Sequence, residues 1–381
     1  MMLRALHVYS GNLYGGVERL LVTLARHRAA CEDLQPRFAL CFRGRLSREL
    51  EAEAVAVDHL GEVRASRPLS VWRARRRLAA LLWRETPDIV ICHSPWAQAL
   101  LGPVAVRARL PLVLWVHNPL QRWGWPERWA KRVVPDSVVA NSRFTARSVA
   151  GLYPVAPTEV VYCPVAPEPA TAADRAKIRT EFETPDDAVV IVQVSRLESW
   201  KGHALLLRAL GRLREVPGWV CWQVGGPQRP REAAYLGELK RLAETLQIAG
   251  RVRFAGARSD IGAVLAAADV HCQPNLGPEP FGIAFVEALL AGLPVVTTDL
   301  GAVPEILSAD CALVVPPGDA APLAGALRVL IEDEALRARL SAAAPARARR
   351  LCDPAAQISL LHRALSDTVC ARRATATGTP R

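Results

Sequence analysis

Short, nearly unbroken apolar runs recur along this chain, and each is followed by a stretch with helical spacing. In the first half the runs fall at residues 3–9, 37–42, 55–60, 87–93, 111–117 and 137–141. In the second half they fall at 188–195, 220–224, 252–256, 270–273 and 295–298. Ile89-Val90-Ile91-Cys92 and Leu112-Val113-Leu114-Trp115-Val116 are the clearest. A strand covered on both faces reads as a continuous apolar run, not as an alternation of apolar and polar residues. Between the runs, sets such as Val17, Leu20, Leu21 and Leu24 repeat at three and four residues, which predicts helices. Strand and helix alternating in this way predict a doubly wound, parallel α/β architecture.

At 381 residues the chain is too long for one ordinary core. Residues 153–173 carry Pro154, Pro157, Pro164, Pro167 and Pro169, which predicts an interdomain linker, after which the strand–helix alternation restarts. The expected domains are residues 1–168 and 169–354. Hydrophobic residues make up 51% and charged residues 22%, a globular and well-cored composition. No apolar run reaches the ~18 residues of a membrane span, and the start lacks the apolar core and cleavage site of a signal peptide, so a cytoplasmic enzyme is expected. The nine cysteines form no Cys-x-x-Cys pair and mostly lie in apolar runs, which predicts buried free thiols. Residues 1–168 hold 23 Lys and Arg against 14 Asp and Glu, and seven of the ten Trp; residues 169–381 hold 25 against 23. The positive excess therefore belongs to the N-terminal half.

The stretch 277–294 carries the most chemistry. Gly277-Pro278 and Glu279-Pro280 force a loop. From about Gly282 the spacing of Ile283, Val286 and Leu290 is helical, with Gly292 placed as a cap and Pro294 beyond it. Glu279 thus precedes a helix and Glu287 lies within it. The N–H groups of a first helical turn suit a phosphate, and ionised carboxylates accept hydrogen bonds from hydroxyls. An anion site flanked by hydroxyl acceptors describes a receptor for a nucleotide sugar. A second cationic element lies at Arg196 and Lys201, five residues apart around a strand-to-helix turn, where both can converge on one diphosphate. Gly15 and Gly16 form a further strand-to-helix turn, without the three spaced glycines of a dinucleotide site. His93 and His117 each end a strand, where open parallel sheets bind ligands.

Glu279-Pro280-Phe281-Gly282 with Glu287 resembles the signature of the retaining GT-B glycosyltransferases of family 4. The resemblance extends to Arg196…Lys201-Gly202 and to Gly15-Gly16-Val17-Glu18-Arg19, and covers nearly the whole chain. It implies two Rossmann-like domains facing a cleft, with the final helix, about residues 355–372, packed back on the first domain. It implies that Glu279 holds hydroxyls of the donor sugar and Glu287 the ribose, and that the backbone from Phe281 and Gly282 into Ile283 meets sugar and diphosphate. Arg196 and Lys201 would neutralise the departing nucleoside diphosphate, with Gly15 and Gly16 touching it from the N-terminal side. Phe254 and Gly256 would face the nucleobase. His117 would contact the donor sugar near the reacting centre; Asn118 follows it where the family usually has Asp. The implied reaction moves a sugar from a nucleoside diphosphate with retention, Glu279, Arg196, Lys201 and His117 being the catalytic set. With no Asp-x-Asp triplet in the chain, no metal and no other cofactor are expected.

The acceptor is read from the N-terminal half. Residues 121–132 are the most aromatic and basic segment, and Arg122, Trp123 and Trp125, with His93, are candidates for acceptor recognition. The helix expected over 68–84 is Arg-rich and contains Trp. It is either an ordinary surface helix or one that meets anionic lipid headgroups. A lipid-linked or envelope polysaccharide acceptor follows as the expectation, with the enzyme peripheral on the inner face of the plasma membrane. Other readings remain: a sugar-nucleotide epimerase of the same fold, a non-catalytic sugar-nucleotide-binding protein, or, from the pI near 9.6, a nucleic-acid binder, for which no motif is present.

Overall fold

The apolar runs pair edge to edge into two parallel sheets in the computed structural model, which describes residues 2–11, 13–121 and 124–377. The chain divides into two units: Met1–Pro164 with Cys352–Arg381, and Val165–Leu351.

The first unit holds seven strands: β1 (Leu3–Tyr9), β2 (Leu34–Leu40), β3 (Val57–His59), β4 (Ile89–Cys92), β5 (Leu112–Val116), β6 (Ser137–Ala140) and β7 (Thr158–Val160). Their order is β3-β2-β1-β4-β5-β6-β7. Helices Gly16–Arg26, Pro68–Glu85 and Pro95–Arg107 connect the central strands. β4 and β5 are buried at every position, as their unbroken apolar composition requires. The C-terminal helix Pro354–Thr377 belongs to this unit: Ser137 and Thr368 hydroxyls are 2.7 Å apart, and Arg372 pairs with Asp136 at 3.2 Å.

The second unit holds β8 (Val189–Val194), β9 (Trp219–Val224), β10 (Val252–Gly256), β11 (Val270–Gln273), β12 (Val295–Thr298) and β13 (Ala312–Val315), ordered β10-β9-β8-β11-β12-β13. The order reverses between β1 and β4 in one unit and between β8 and β11 in the other. Open parallel sheets bind ligands beyond the carboxyl ends of strands at such switch points.

The segment 153–173 is more structured than its prolines suggest. β7 forms an edge strand directly after Pro157, a place where proline costs no ladder hydrogen bond. Thr171 caps the helix Ala172–Glu181 by accepting from the Asp174 amide, while Asp174 accepts from the Thr171 amide. None of the nine cysteines forms a disulfide, and seven are buried. No helix among the described residues is long and apolar enough to cross a membrane.

Candidate active site

The switch point of the second unit is built by two loops. One follows β8 and carries Arg196 and Lys201; the other follows β11 and carries Asn275 and Glu279. Lys201 Nζ donates to Glu279 Oε2 at 2.6 Å, and the two side chains keep 13% and 7% of their exposure. Gln273 Nε2 and Asn275 Nδ2 donate to the same oxygen at 3.2 and 3.1 Å. Three donors therefore converge on Oε2, while Oε1 has no hydrogen-bond partner among the described residues. A carboxylate held this way is fixed in orientation and keeps one oxygen for a ligand hydroxyl. Lys201 has three N–H donors, so its bond to Glu279 leaves it able to reach an anion as well.

Glycines make the close approach feasible. Gly202 has φ +78°, and a Cβ there would lie 1.8 Å from the Pro274 carbonyl oxygen. Gly301 has φ +76°, and a Cβ would lie 2.2 Å from the Glu279 carbonyl oxygen, where the Ala302 amide donates at 2.8 Å. Gly282, at φ +88°, starts the helix Ile283–Leu290, and its missing Cβ clears both Phe285 and the Glu279 side chain. Glu279 is thus packed against the N-terminus of that helix, in which Glu287 is the fifth residue. Phe281 is buried.

Arg196 lies in the same loop as Lys201, but its guanidinium pairs with Glu198 at 3.0 Å and its side chain is 40% exposed. Trp200 Nε1 donates to the same Glu198 oxygen, and Lys201 Nζ lies 4.0 Å from the Trp200 ring centre. Gln193 fixes the loop by donating to the Lys201 carbonyl at 2.8 Å. Ser195 and His203 are hydrogen-bonded at 3.0 Å, and burial, then the charge of Lys201, pushes His203 down to about 4. Beside this loop, Gly225 donates to the Gly256 carbonyl at 2.8 Å and approaches Ser195 too closely for any Cβ. Phe254 lies on β10 two residues before Gly256 and is half-buried.

In the first unit, His117 follows β5 and is 8% exposed. Its Nε2 is 3.0 Å from Nδ1 of His93, whose Nε2 is 2.9 Å from Nδ1 of His7. This corrects the expectation for His93: the ring is 2% exposed and both nitrogens are occupied, so it has none to offer an acceptor. Gly15 is corrected in part. Its amide donates to Glu18 at 2.8 Å, and Glu18 also accepts from Tyr9, so that N–H is not available to a diphosphate; Gly16 opens the helix. Trp125 starts the helix Trp125–Ala130, is 51% exposed, and packs edge-on between Trp96 and Trp129. Arg122 and Trp123 lie outside the described residues.

Comparison with known proteins decides the family. The family described as Glycosyl transferases group 1 matches residues 174–347, and that described as Glycosyltransferase Family 4 matches residues 14–169. The chain belongs to the group 1 glycosyl transferases. It is 30% identical over 334 residues to the lipopolysaccharide core biosynthesis glycosyltransferase LpsE of Rhizobium meliloti, covering 86% of this chain and 88% of that protein. A phosphatidyl-myo-inositol mannosyltransferase of Mycobacterium leprae is 38% identical over 154 residues, 40% of each chain. Anabaena HepE, solved in complex with UDP, matches with a TM-score of 0.84 at 24% identity, over 96% of this chain and 100% of that one. The two Rossmann-like units are those of the GT-B fold.

Sequence reasoning about this glycosyl transferase missed Gln273, Asn275 and Gly301, which orient Glu279. Two amides at the end of the apolar strand β11 were the available signal. The transferase also carries a groove of about 1080 Å³ between helices Pro68–Glu85 and Pro95–Arg107. Trp72, Trp83 and Trp129 line it, 53%, 85% and 45% exposed, together with Arg75, Arg76 and Arg107. Arg75 ties the two helices by donating to the Leu100 carbonyl at 2.6 Å, while Arg73, Arg76 and Arg107 have no ion pair among the described residues.

Proposed function

We propose that this chain is a retaining glycosyltransferase that moves a sugar from a nucleoside-diphosphate sugar to a lipid-linked or envelope-glycan acceptor. The observation that carries the reading is the half-saturated carboxylate of Glu279, fixed by Lys201, Gln273 and Asn275 with Oε1 left open. In this reading Oε1 accepts from a donor-sugar hydroxyl and Glu287 accepts from the ribose. Lys201, Arg196 and the first-turn amides of Ile283–Leu290 take the diphosphate. Charge accumulates on that leaving group as the sugar–phosphate bond breaks, and cations held in place beforehand lower the barrier without reorganising. Arg196 exchanges Glu198 for phosphate in this step. With these cations present and no Asp-x-Asp triplet in the chain, the chemistry runs without a metal ion. By the family resemblance, departure and attack occur on one face and configuration is retained, with His117 assigned to the donor sugar.

HepE was solved with UDP, LpsE is named for lipopolysaccharide core biosynthesis and the mannosyltransferase for phosphatidyl-myo-inositol; these support a nucleotide-sugar donor and an envelope acceptor. The Trp- and Arg-lined groove of the first unit supports attachment to an anionic membrane face, with the enzyme peripheral on the cytoplasmic side. The test is a panel of nucleotide sugars assayed for protection against thermal unfolding, since a ligand that binds only the native state raises its apparent stability. The best donor is then incubated with membrane glycolipid and chelator. Transfer in chelator with the anomeric configuration kept is expected. Loss of transfer in chelator, or release of free sugar without acceptor, overturns the assignment.

A further inference from the structure

His7, His93 and His117 lie on three neighbouring strands and climb toward the carboxyl edge of the sheet. His7 is in register with Ile91 on β4, and His93 is two residues beyond Ile91. Continuing the β4–β5 register places His93 beside Trp115, with which it stacks at 5.2 Å, and His117 is two residues beyond Trp115. A step of two keeps every ring on the same face of the sheet. The rings run from the fully buried His7, at the switch point between β1 and β4, outward to His117.

A row of neutral imidazoles has only two proton arrangements. Each ring has one N–H and one lone pair, so each ring–ring bond points the same way along the whole row. If the N–H groups point inward, His7 Nε2 carries a proton. If they point outward, it carries a lone pair. His7 Nε2 is buried with no hydrogen-bond partner. A buried N–H without an acceptor is rarer in folded proteins than an acceptor without a donor. The outward arrangement is therefore favoured, and it leaves His117 protonated on Nδ1, which makes no hydrogen bond among the described residues.

We infer that His7 and His93 are positioning residues that hold His117 as its Nδ1–H tautomer, so that His117 meets the substrate as a hydrogen-bond donor and not as a base. Burial keeps the row neutral: it pushes His7 and His117 down to about 3 and, with the repulsion that charging either neighbouring ring would add, holds His93 well below the ordinary imidazole value. The aromatic sheath around the rings, Phe38 stacked on His7 and Trp115 on His93 and His117, holds them in line. The role given to His117 rests on the glycosyl-transfer reading; the tautomer does not.

The experiment is nitrogen-15 NMR of the full-length, ligand-free protein with labelled histidine near pH 7.5, the resonances assigned by single substitutions. His117 and His93 are expected to show a protonated Nδ1 and a bare Nε2. A protonated Nε2 on His117, or a cationic ring, overturns the inference. His93→Phe removes the donor to His117 Nε2. It should release the tautomer and lower kcat about tenfold with little change in KM for the nucleotide sugar. His93→Gln keeps an N–H donor and should restore part of that loss. Equal losses in two variants that melt like the parent count against it. The NMR measurement needs no substrate, so its failure is distinguishable from an absence of sugar transfer.

Discussion

Lys201 Nζ lies 2.6 Å from Glu279 Oε2 across the switch point of the second sheet, and both side chains are mostly buried. The pair is not symmetric. Without Lys201, Glu279 keeps two amide donors, Gln273 and Asn275. Without the Glu279 charge, Lys201 keeps the face of Trp200.

Glu279→Gln should therefore cost more stability than Lys201→Met, about 3–5 kcal/mol for stranding a buried charge. The double variant should be more stable than Glu279→Gln alone. A double-mutant cycle by denaturant unfolding measures this. Single losses below about 1 kcal/mol would contradict a buried, interacting pair. Glu279→Gln should also cut transfer by about 100-fold through lost positioning of the sugar.

Three glycines with similar φ separate strain from crowding. Gly292, at φ +80°, has nothing within 4 Å of an added Cβ, whereas Gly202 and Gly301 would meet backbone at 1.8 and 2.2 Å. Gly292→Ala should cost only the left-handed penalty, about 1–2 kcal/mol, and leave ligand affinity unchanged. Gly301→Ala should add a displacement of the Glu279 backbone and weaken nucleotide-sugar binding at least tenfold. Thermal melts with and without nucleotide sugar give both quantities, and equal behaviour of Gly301→Ala and Gly292→Ala would remove the packing argument.

Much of this was readable from local chemistry. The unbroken apolar composition of β4 and β5 marks fully covered strands, and the Gly-Pro and Phe-Gly steps mark a loop entering a helix. What escaped depended on partners remote in the chain. β7 is only three residues long and lies among prolines; it is a strand because β6 offers an edge. β13 is four residues long and ends at Pro316-Pro317. The histidine row exists only through the registers of β1, β4 and β5, which no single segment encodes. The spacing of Arg196 and Lys201 points to one diphosphate but gives no sign that Glu198, two residues on, pairs with Arg196 in the ligand-free protein. The Thr171–Asp174 capping box starts a helix inside the expected linker, a local Thr-x-x-Asp signal that the prolines around it outweighed.

Stability should fall steeply on mild acidification. His7, His117 and His271 are pushed down to about 3 and His203 to about 4, each first of all by burial, from 6.5. Between these values and 6.5 the unfolded chain binds protons that the folded one does not, so stability rises with pH across that window and is lost as pH falls below 6.5. The slope approaches about 1.4 kcal/mol per pH unit for each such histidine. Melting temperature should be nearly flat from pH 7 to 8 and drop from 6.5 to 5. His7→Phe should lessen the drop by one histidine's share. A melting temperature that rises on acidification would refute the assignment of neutral rings.

The arginines around the groove make a further claim about where the enzyme works. Arg76 and Arg107 line the groove beside exposed Trp72 and Trp83 and have no ion pair among the described residues, and Arg76 lies 4.9 Å over the Trp72 ring. A basic residue near an anionic surface contributes about 1 kcal/mol, and an interfacial Trp anchors with less dependence on salt. Arg76→Glu and Arg107→Glu together should lower affinity for phosphatidylglycerol-containing vesicles about 100-fold or more. Trp72→Ala with Trp83→Ala should instead weaken the binding that survives high salt. Both variants should retain the parent's melting temperature and nucleotide-sugar affinity, because the groove and the donor loops belong to different units. Co-sedimentation across a salt series checks this. Equal binding of parent and arginine variant to anionic vesicles, or no preference of the parent for anionic over neutral ones, would remove the membrane role of this face.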